Sequence, residues 1–190
     1  MLGDGYSSSE FVGYEQASEM DIAFYMSKVI HNDLTVAGVS SLSYWTSMDV
    51  FRWGHKNRFL LISLVPAGGE YGDIEQEGTY RATPTLWVLG NYSRFIRPGY
   101  KRIALTLNET RSFFGSAWIS PEKDKIVAVY TNMSERNVRL GETHIGWNEA
   151  KSVTTYTTTD SKNLQEITVA SGSPVVLESG SVTTVVYNLK

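Results

Sequence analysis

The sequence predicts an α/β segment followed by an all-β segment, and three observations predict it. Apolar residues recur at helical spacing in two stretches before residue 98 and nowhere after it. Strand-like runs separated by polar turns recur from residue 101 onward. Between the two regimes stands Arg97-Pro98-Gly99, a triplet that ends a helix and starts a loop. The expected division is 1–98 for the α/β part and 99–190 for an antiparallel β-sandwich.

The first helix is expected to begin at Ser18. Ser18-Glu19-Met20-Asp21 has a hydroxyl at the cap and a carboxylate three positions on, the reciprocal pattern that satisfies two orphan backbone donors. Ile22, Ala23, Met26, Val29 and Ile30 follow on one face, and the helix is expected to close near His31-Asn32. Thr35 to Ser43, small, β-branched and apolar, reads as a buried strand leading to Tyr44-Trp45. Phe59 to Leu64 reads as a second strand, and the glycine-rich, acidic stretch Pro66 to Gly78 as a loop. Thr83-Pro84 starts a second helix with Leu86, Leu89, Tyr92, Phe95 and Ile96 on one face.

Eight strands are expected after Gly99, near 101–107, 112–119, 125–132, 134–140, 152–158, 165–170, 173–177 and 181–187. Short strands at this spacing, with Thr and Val dominating the last third, suit an antiparallel sandwich. The first part supplies only helix, strand and helix. One or two parallel strands cannot have both faces covered. A closed parallel barrel needs eight βα units and about 250 residues. Residues 1–98 are therefore expected to be an incomplete unit.

Composition narrows the function classes. The net charge of −3 and the lack of a basic stripe argue against a nucleic-acid partner. No apolar run is long enough for a membrane-spanning helix. With no cysteine, disulfides and thiolate zinc sites are excluded. No cofactor motif occurs: the run Ala67-Gly68-Gly69-Glu70-Tyr71-Gly72 lacks the Lys-Ser/Thr of a phosphate loop. Five Trp and eleven Tyr are many for this length, and aromatic faces serve both cores and sugar-binding platforms.

Three stretches carry a family resemblance: Lys28-Val29-Ile30-His31-Asn32-Asp33-Leu34-Thr35-Val36-Ala37, Ser43-Tyr44-Trp45, and Leu89-Gly90-Asn91-Tyr92-Ser93-Arg94-Phe95-Ile96-Arg97-Pro98-Gly99. Together they resemble the C-terminal part of a glycoside hydrolase family 30 enzyme, a family of glucosylceramidases, glucuronoxylanases, β-1,6-glucanases and endo-β-1,6-galactanases. The resemblance covers residues 1 to about 100. It implies the C-terminal remnant of a (β/α)8 barrel followed by a β-sandwich. It implies a parent enzyme, secreted or periplasmic, that cleaves a polysaccharide with retention, with β-1,6-galactan or xylan as the expected substrate. Retention needs two carboxyl groups about 5–5.5 Å apart. In the family these glutamates lie at the ends of the fourth and seventh strands. Met1-Leu2-Gly3-Asp4-Gly5 looks like the loop just after the seventh strand. Neither glutamate maps onto this chain, and no catalytic residue is assigned.

Trp45 would then follow the eighth strand, at the barrel end where active sites lie. The family has a tryptophan there lining a sugar subsite. Trp45 is the leading substrate-binding candidate, with Tyr44 beside it and Arg52 and Trp53 in the following loop; core or loop packing is the alternative for each. Asp49, His55 and Lys56 share that loop, and His55 has no second ligand at metal-binding spacing. Asp4 and Glu10, near Tyr6, are loop carboxylates without the apolar setting that tunes an acid/base pair. His31 suits the helix C-terminus. His144 carries no motif. Trp118 and Trp147 are read as sandwich core, with exposed sugar platforms as the alternative. Asn91, Asn108 and Asn132 each start a glycosylation sequon.

The expected partner is a polysaccharide or oligosaccharide. A non-catalytic carbohydrate-binding or structural sandwich is the alternative function. Self-association through exposed barrel or sheet edges is also expected. The chain by itself should not cleave glycans: incubation with xylan, β-1,6-galactan and β-1,6-glucan should release no reducing ends. Robust turnover of any of them would overturn the expectation.

Overall fold

The protein is described by a computed structural model covering residues 17–50, 59–69, 72, 77–141 and 150–189. Helix α1 (Glu19–Asn32) starts on the expected capping box. The Asp21 amide donates to the Ser18 hydroxyl at 3.1 Å, and the Ser18 amide donates to the Asp21 carboxylate at 2.8 Å. Met20, Ala23, Met26 and Ile30 form its buried stripe. Helix α2 (Pro84–Ser93) begins with proline, whose fixed φ suits a first helical position. The Thr83 hydroxyl does not cap that helix. It donates to the Leu60 carbonyl at 2.6 Å and so ties the helix start to the neighbouring sheet.

Between the helices lies a three-stranded sheet of β1 (Met48–Val50), β2 (Ile62–Pro66) and β3 (Gly78–Ala82). The β1–β2 pair is parallel, with Met48 opposite Ile62, and β2–β3 is antiparallel. β3 was not expected. Its Gly-Thr-Tyr-Arg-Ala run shows no apolar alternation, because most of the strand is solvent-exposed at a sheet edge.

The expected strand over Thr35–Ser43 does not form. Asp33–Ala37 continues α1 as a wide π-helical turn, and Gly38 ends it in the left-handed region with φ 66°. Thr35 donates to the His31 carbonyl at 2.7 Å, the local bond available to a helical threonine. A strand needs a partner for its backbone groups, and no described strand pairs with this stretch. β-Branched composition alone did not decide the outcome.

From residue 101 onward each of the eight expected strands has an observed counterpart. β4 (Lys101–Ile103), β5 (Phe113–Ile119), β6 (Lys125–Asn132), β8 (Ser152–Thr158), β9 (Gln165–Val169) and β11 (Ser181–Asn188) build one antiparallel sheet in the order β4-β5-β6-β11-β8-β9. β7 (Val138–Arg139) and β10 (Val176–Leu177) pair as a small separate ribbon.

The central strands bury both faces, and the period of two sorts their side chains. Val127, Val129, Val182 and Trp118 face α1 and α2, joining Met20, Ala23, Met26, Ile30, Val88 and Tyr92 in one cluster. Ile126, Ala128, Tyr130, Val185 and Tyr187 face the other way, against Val175, Leu177 and the β7–β10 ribbon.

Polar bolts cross the helix–sheet seam. Asn91 of α2 is fully buried, and its amide nitrogen donates to the Tyr156 carbonyl at 2.9 Å and to Thr184 Oγ1 at 3.0 Å. Its amide oxygen accepts from Thr158 Oγ1 at 2.7 Å, and its backbone carbonyl accepts from Thr184 Oγ1 at 2.7 Å. A second cluster joins Ser27 of α1, Tyr92 of α2 and Thr131 of β6, with oxygen separations of 2.9 and 2.6 Å from the Ser27 hydroxyl. Burial pushes the Tyr92 phenol up to about 12, so it stays a neutral hydrogen-bonding group. Gly90 lets the strand-side Leu164 come close: a Cβ there would lie 2.9 Å from Leu164 Cδ1.

Asn91→Ala should cost about 2–4 kcal/mol, because it leaves buried oxygens on Tyr156 and Thr158 without their partner. Urea unfolding measures this, and a loss below about 0.5 kcal/mol would show that the bolt contributes little.

Candidate functional site

The segment that carries Tyr44 and Trp45 is anchored at both ends. At its start, the Gly38 and Val39 amides both donate to the Asp33 carbonyl, the latter at 3.0 Å, closing the turn after α1. At its end, the amides of Leu61 and Ile62 donate to the Ser47 carbonyl at 3.1 and 2.9 Å and start the β1–β2 pairing. The intervening residues make no regular structure.

Within it the two aromatic candidates part company. Tyr44 is half-buried, packs against the helix-side core, and donates its hydroxyl to the Phe59 carbonyl. Burial pushes its phenol up to about 12. Its ring and hydroxyl are thus engaged in holding the segment. Trp45 points outward and is 87% exposed, the most exposed large apolar side chain among the described residues. The Trp45–Thr46 peptide is cis. Val36, Leu42 and Met48 of the same stretch are exposed as well. Arg52, Trp53, His55 and Lys56 lie outside the described residues, as do Asp4, Tyr6, Glu10, His144 and Trp147.

Three described carboxylates have structural partners. Asp49 accepts the Val50 amide at 2.7 Å, Asp21 caps α1, and Glu19 pairs with both terminal nitrogens of Arg81 at 2.7 and 2.5 Å. Among the described residues, no group of three His, Cys, Asp or Glu side chains is placed to hold a metal ion, and no helix is long and apolar enough to cross a membrane.

Two further sequence candidates resolve clearly. Trp118 is buried and meets Tyr92 edge to face at 6.5 Å, so it is core and not a sugar platform. Of the three sequon asparagines, Asn91 and Asn132 are buried and hydrogen-bonded through their amides, whereas Asn108 is exposed. The buried role of Asn91 is not visible in its sequon or in the Leu89–Gly99 stretch that contains it. Its position on a helix whose Leu86, Leu89 and Tyr92 face the core was the available signal of burial.

Comparison with known proteins adds an independent line. Residues 1–57 match the family model described as O-Glycosyl hydrolase family 30. Over 123 residues the chain is 32% identical to a glucuronoxylanase of Bacillus subtilis strain 168. The chain is thus similar to the C-terminal part of glycoside hydrolase family 30 enzymes. The alignment with that relative covers 62% of this chain and 28% of the glucuronoxylanase. A crystal structure of a family 30 endoxylanase from Clostridium papyrosolvens C71 superposes with a TM-score of 0.62 at 26% identity, covering 90% of this chain and 39% of that one. A conserved exported protein from Bacteroides fragilis superposes with a TM-score of 0.76 at 28% identity, covering 98% of this chain and 37% of its own. The chain therefore spans well under half the length of these family 30 relatives and structural neighbours. Tyr44, Trp45, Arg52 and Trp53 all fall inside the matched stretch 1–57.

The exposure of the two tryptophans sets opposite expectations for stability. Trp45→Ala should shift the unfolding free energy by under about 0.5 kcal/mol, while Trp118→Ala should cost about 3–5 kcal/mol. Chemical denaturation of both variants measures this. A large loss for Trp45→Ala would show that the ring is a packing residue.

Proposed function

We propose that this chain is the end of a (β/α)8 barrel, residues 1–98, with its side β-sandwich, residues 99–190, in a retaining enzyme that hydrolyses a polysaccharide. Xylan is favoured over β-1,6-galactan, because the named relatives are a glucuronoxylanase and an endoxylanase. In this reading both catalytic carboxylates come from parts of the enzyme outside this chain, and this chain contributes one wall of a sugar subsite. A secreted or periplasmic location follows from the polymeric substrate.

The observation that carries the reading is Trp45. Its indole is exposed three residues before β1, which forms the one parallel pair among the described strands, and Leu42 and Met48 nearby in the sequence are exposed too. An aromatic face at that place suits stacking on the C–H face of a sugar ring. The parallel β1–β2 pair supports the barrel part of the proposal, because parallel strands are ordinarily covered on both faces by further βα units. Among the described residues β1 pairs on one side only, and that edge supports the expectation of self-association.

The alternative, an independent carbohydrate-binding sandwich, is disfavoured by Trp118. Its ring is sealed under the helices and offers no platform. A structural, buttressing role for residues 99–190 fits the buried seam better.

Titration of the chain with xylo-oligosaccharides, followed by saturation-transfer NMR, should show weak binding in which the indole of Trp45 contacts the sugar. Trp45→Ala should abolish it and leave the fold intact. Binding that survives this substitution would remove Trp45 from the site, and the absence of any contact with the sugar would count against the subsite assignment.

A further inference from the structure

The last turn of α1 holds a buried histidine that the proposed function does not use. His31 lies against β5, with Nδ1 3.3 Å from the Ser116 hydroxyl and its ring 4.8 Å from that of Phe114 at a 53° tilt. Lys28, one turn earlier, sits 4.4 Å over the same Phe114 ring. The His31 carbonyl accepts the Thr35 hydroxyl, so the residue lies at the base of the turn that leads to Tyr44 and Trp45. One residue thus joins the sheet, through its side chain, to the turn that starts the candidate site, through its backbone carbonyl.

We propose that His31 is a pH-sensitive latch: neutral, it seats the end of α1 and the 33–48 segment on the sheet, and protonated, it releases them. A neutral imidazole fits the apolar wall of Phe114 with one hydrogen bond to Ser116. An imidazolium would be a charge inside that interface. The charged groups acting on it come from three places. Glu109, before β5, favours the protonated form, while Lys28 of α1 and Arg102 of β4 oppose it. Burial is the largest influence and, together with Lys28 and Arg102, outweighs Glu109 and holds the imidazole below its ordinary value of 6.5. Because the folded state binds the proton less well than the unfolded state, the contribution to stability is complete above about pH 6.5. It declines as the pH falls below that value and stops declining below the lower, folded-state pKa.

The link to glycan binding rests on the reading of Trp45 given above; the latch itself does not. NMR titration of the whole chain, with the three histidines assigned, tests it. The His31 ring should titrate below about pH 6.5. Amide exchange at residues 33–39, corrected for intrinsic rates, should rise about tenfold for each unit of depression as the ring protonates. In His31→Gln, whose neutral amide can keep the bond to Ser116, that acid-induced rise should vanish. A ring that titrates at or above about 6.5, or an unchanged rise in His31→Gln, overturns the latch. Should His31→Gln not fold, the midpoint and exchange of the unmodified chain decide alone. Sugar titration of the unmodified chain at neutral pH reports on Trp45 separately, so failure of the subsite and failure of the latch are distinguishable.

Discussion

The seam between α2 and the six-stranded sheet is the constraint on which the rest of the structure depends. Asn91 satisfies both donors and the acceptor of its amide inside a buried interface, on partners from β8 and β11. A buried amide is costly unless every such bond is made, so only one seating of the helix on the sheet is acceptable. Apolar contacts from Val88, Tyr92, Val127 and Val182 provide the affinity of that seam, and the asparagine provides its register. At the outer edge, Phe95 and Tyr156 meet at 4.5 Å with Arg94 stacked over both, shielding the network from water.

This arrangement changes what the sequence boundary at Pro98-Gly99 means. The change from helical to strand periodicity there is real, yet the hydrophobic clusters do not respect it. The helix-side core draws α1 and α2 together with β5, β6 and β11. One face of the large sheet is therefore finished by residues that precede the boundary. A periodicity switch marks a change of local structure, and burial alone says which pieces need each other.

What was legible in the sequence follows the same physics. α1 was readable because its signals are local: a hydroxyl, a carboxylate three positions later and a 3.6-residue stripe. The strands after Gly99 were readable because alternation and turns are local as well. Thr35–Ser43 misled because strand formation needs a neighbour, which no single stretch of sequence displays. β3 was missed for the converse reason, as pairing with β2 holds a run with no apolar pattern. At the site, the adjacency of Tyr44 and Trp45 was visible, but not their division of labour. That division depends on the Phe59 carbonyl fifteen residues away, which receives the tyrosine hydroxyl. The interior place of Asn91 was likewise hidden, because its partners lie in strands far along the chain.

The shared core also bears on how such chains can be recombined. A crossover placed at Pro98-Gly99, where a reader of the sequence would cut, strips Trp118, Val127, Val129 and Val182 of their cover and gives the donor protein a sheet with a bare, greasy face. A crossover placed before Ser18 keeps the cap, both helices and their bolts with the strands they match. For anyone building chimaeras from relatives of this chain, the transferable cassette starts at the helix cap and not at the proline.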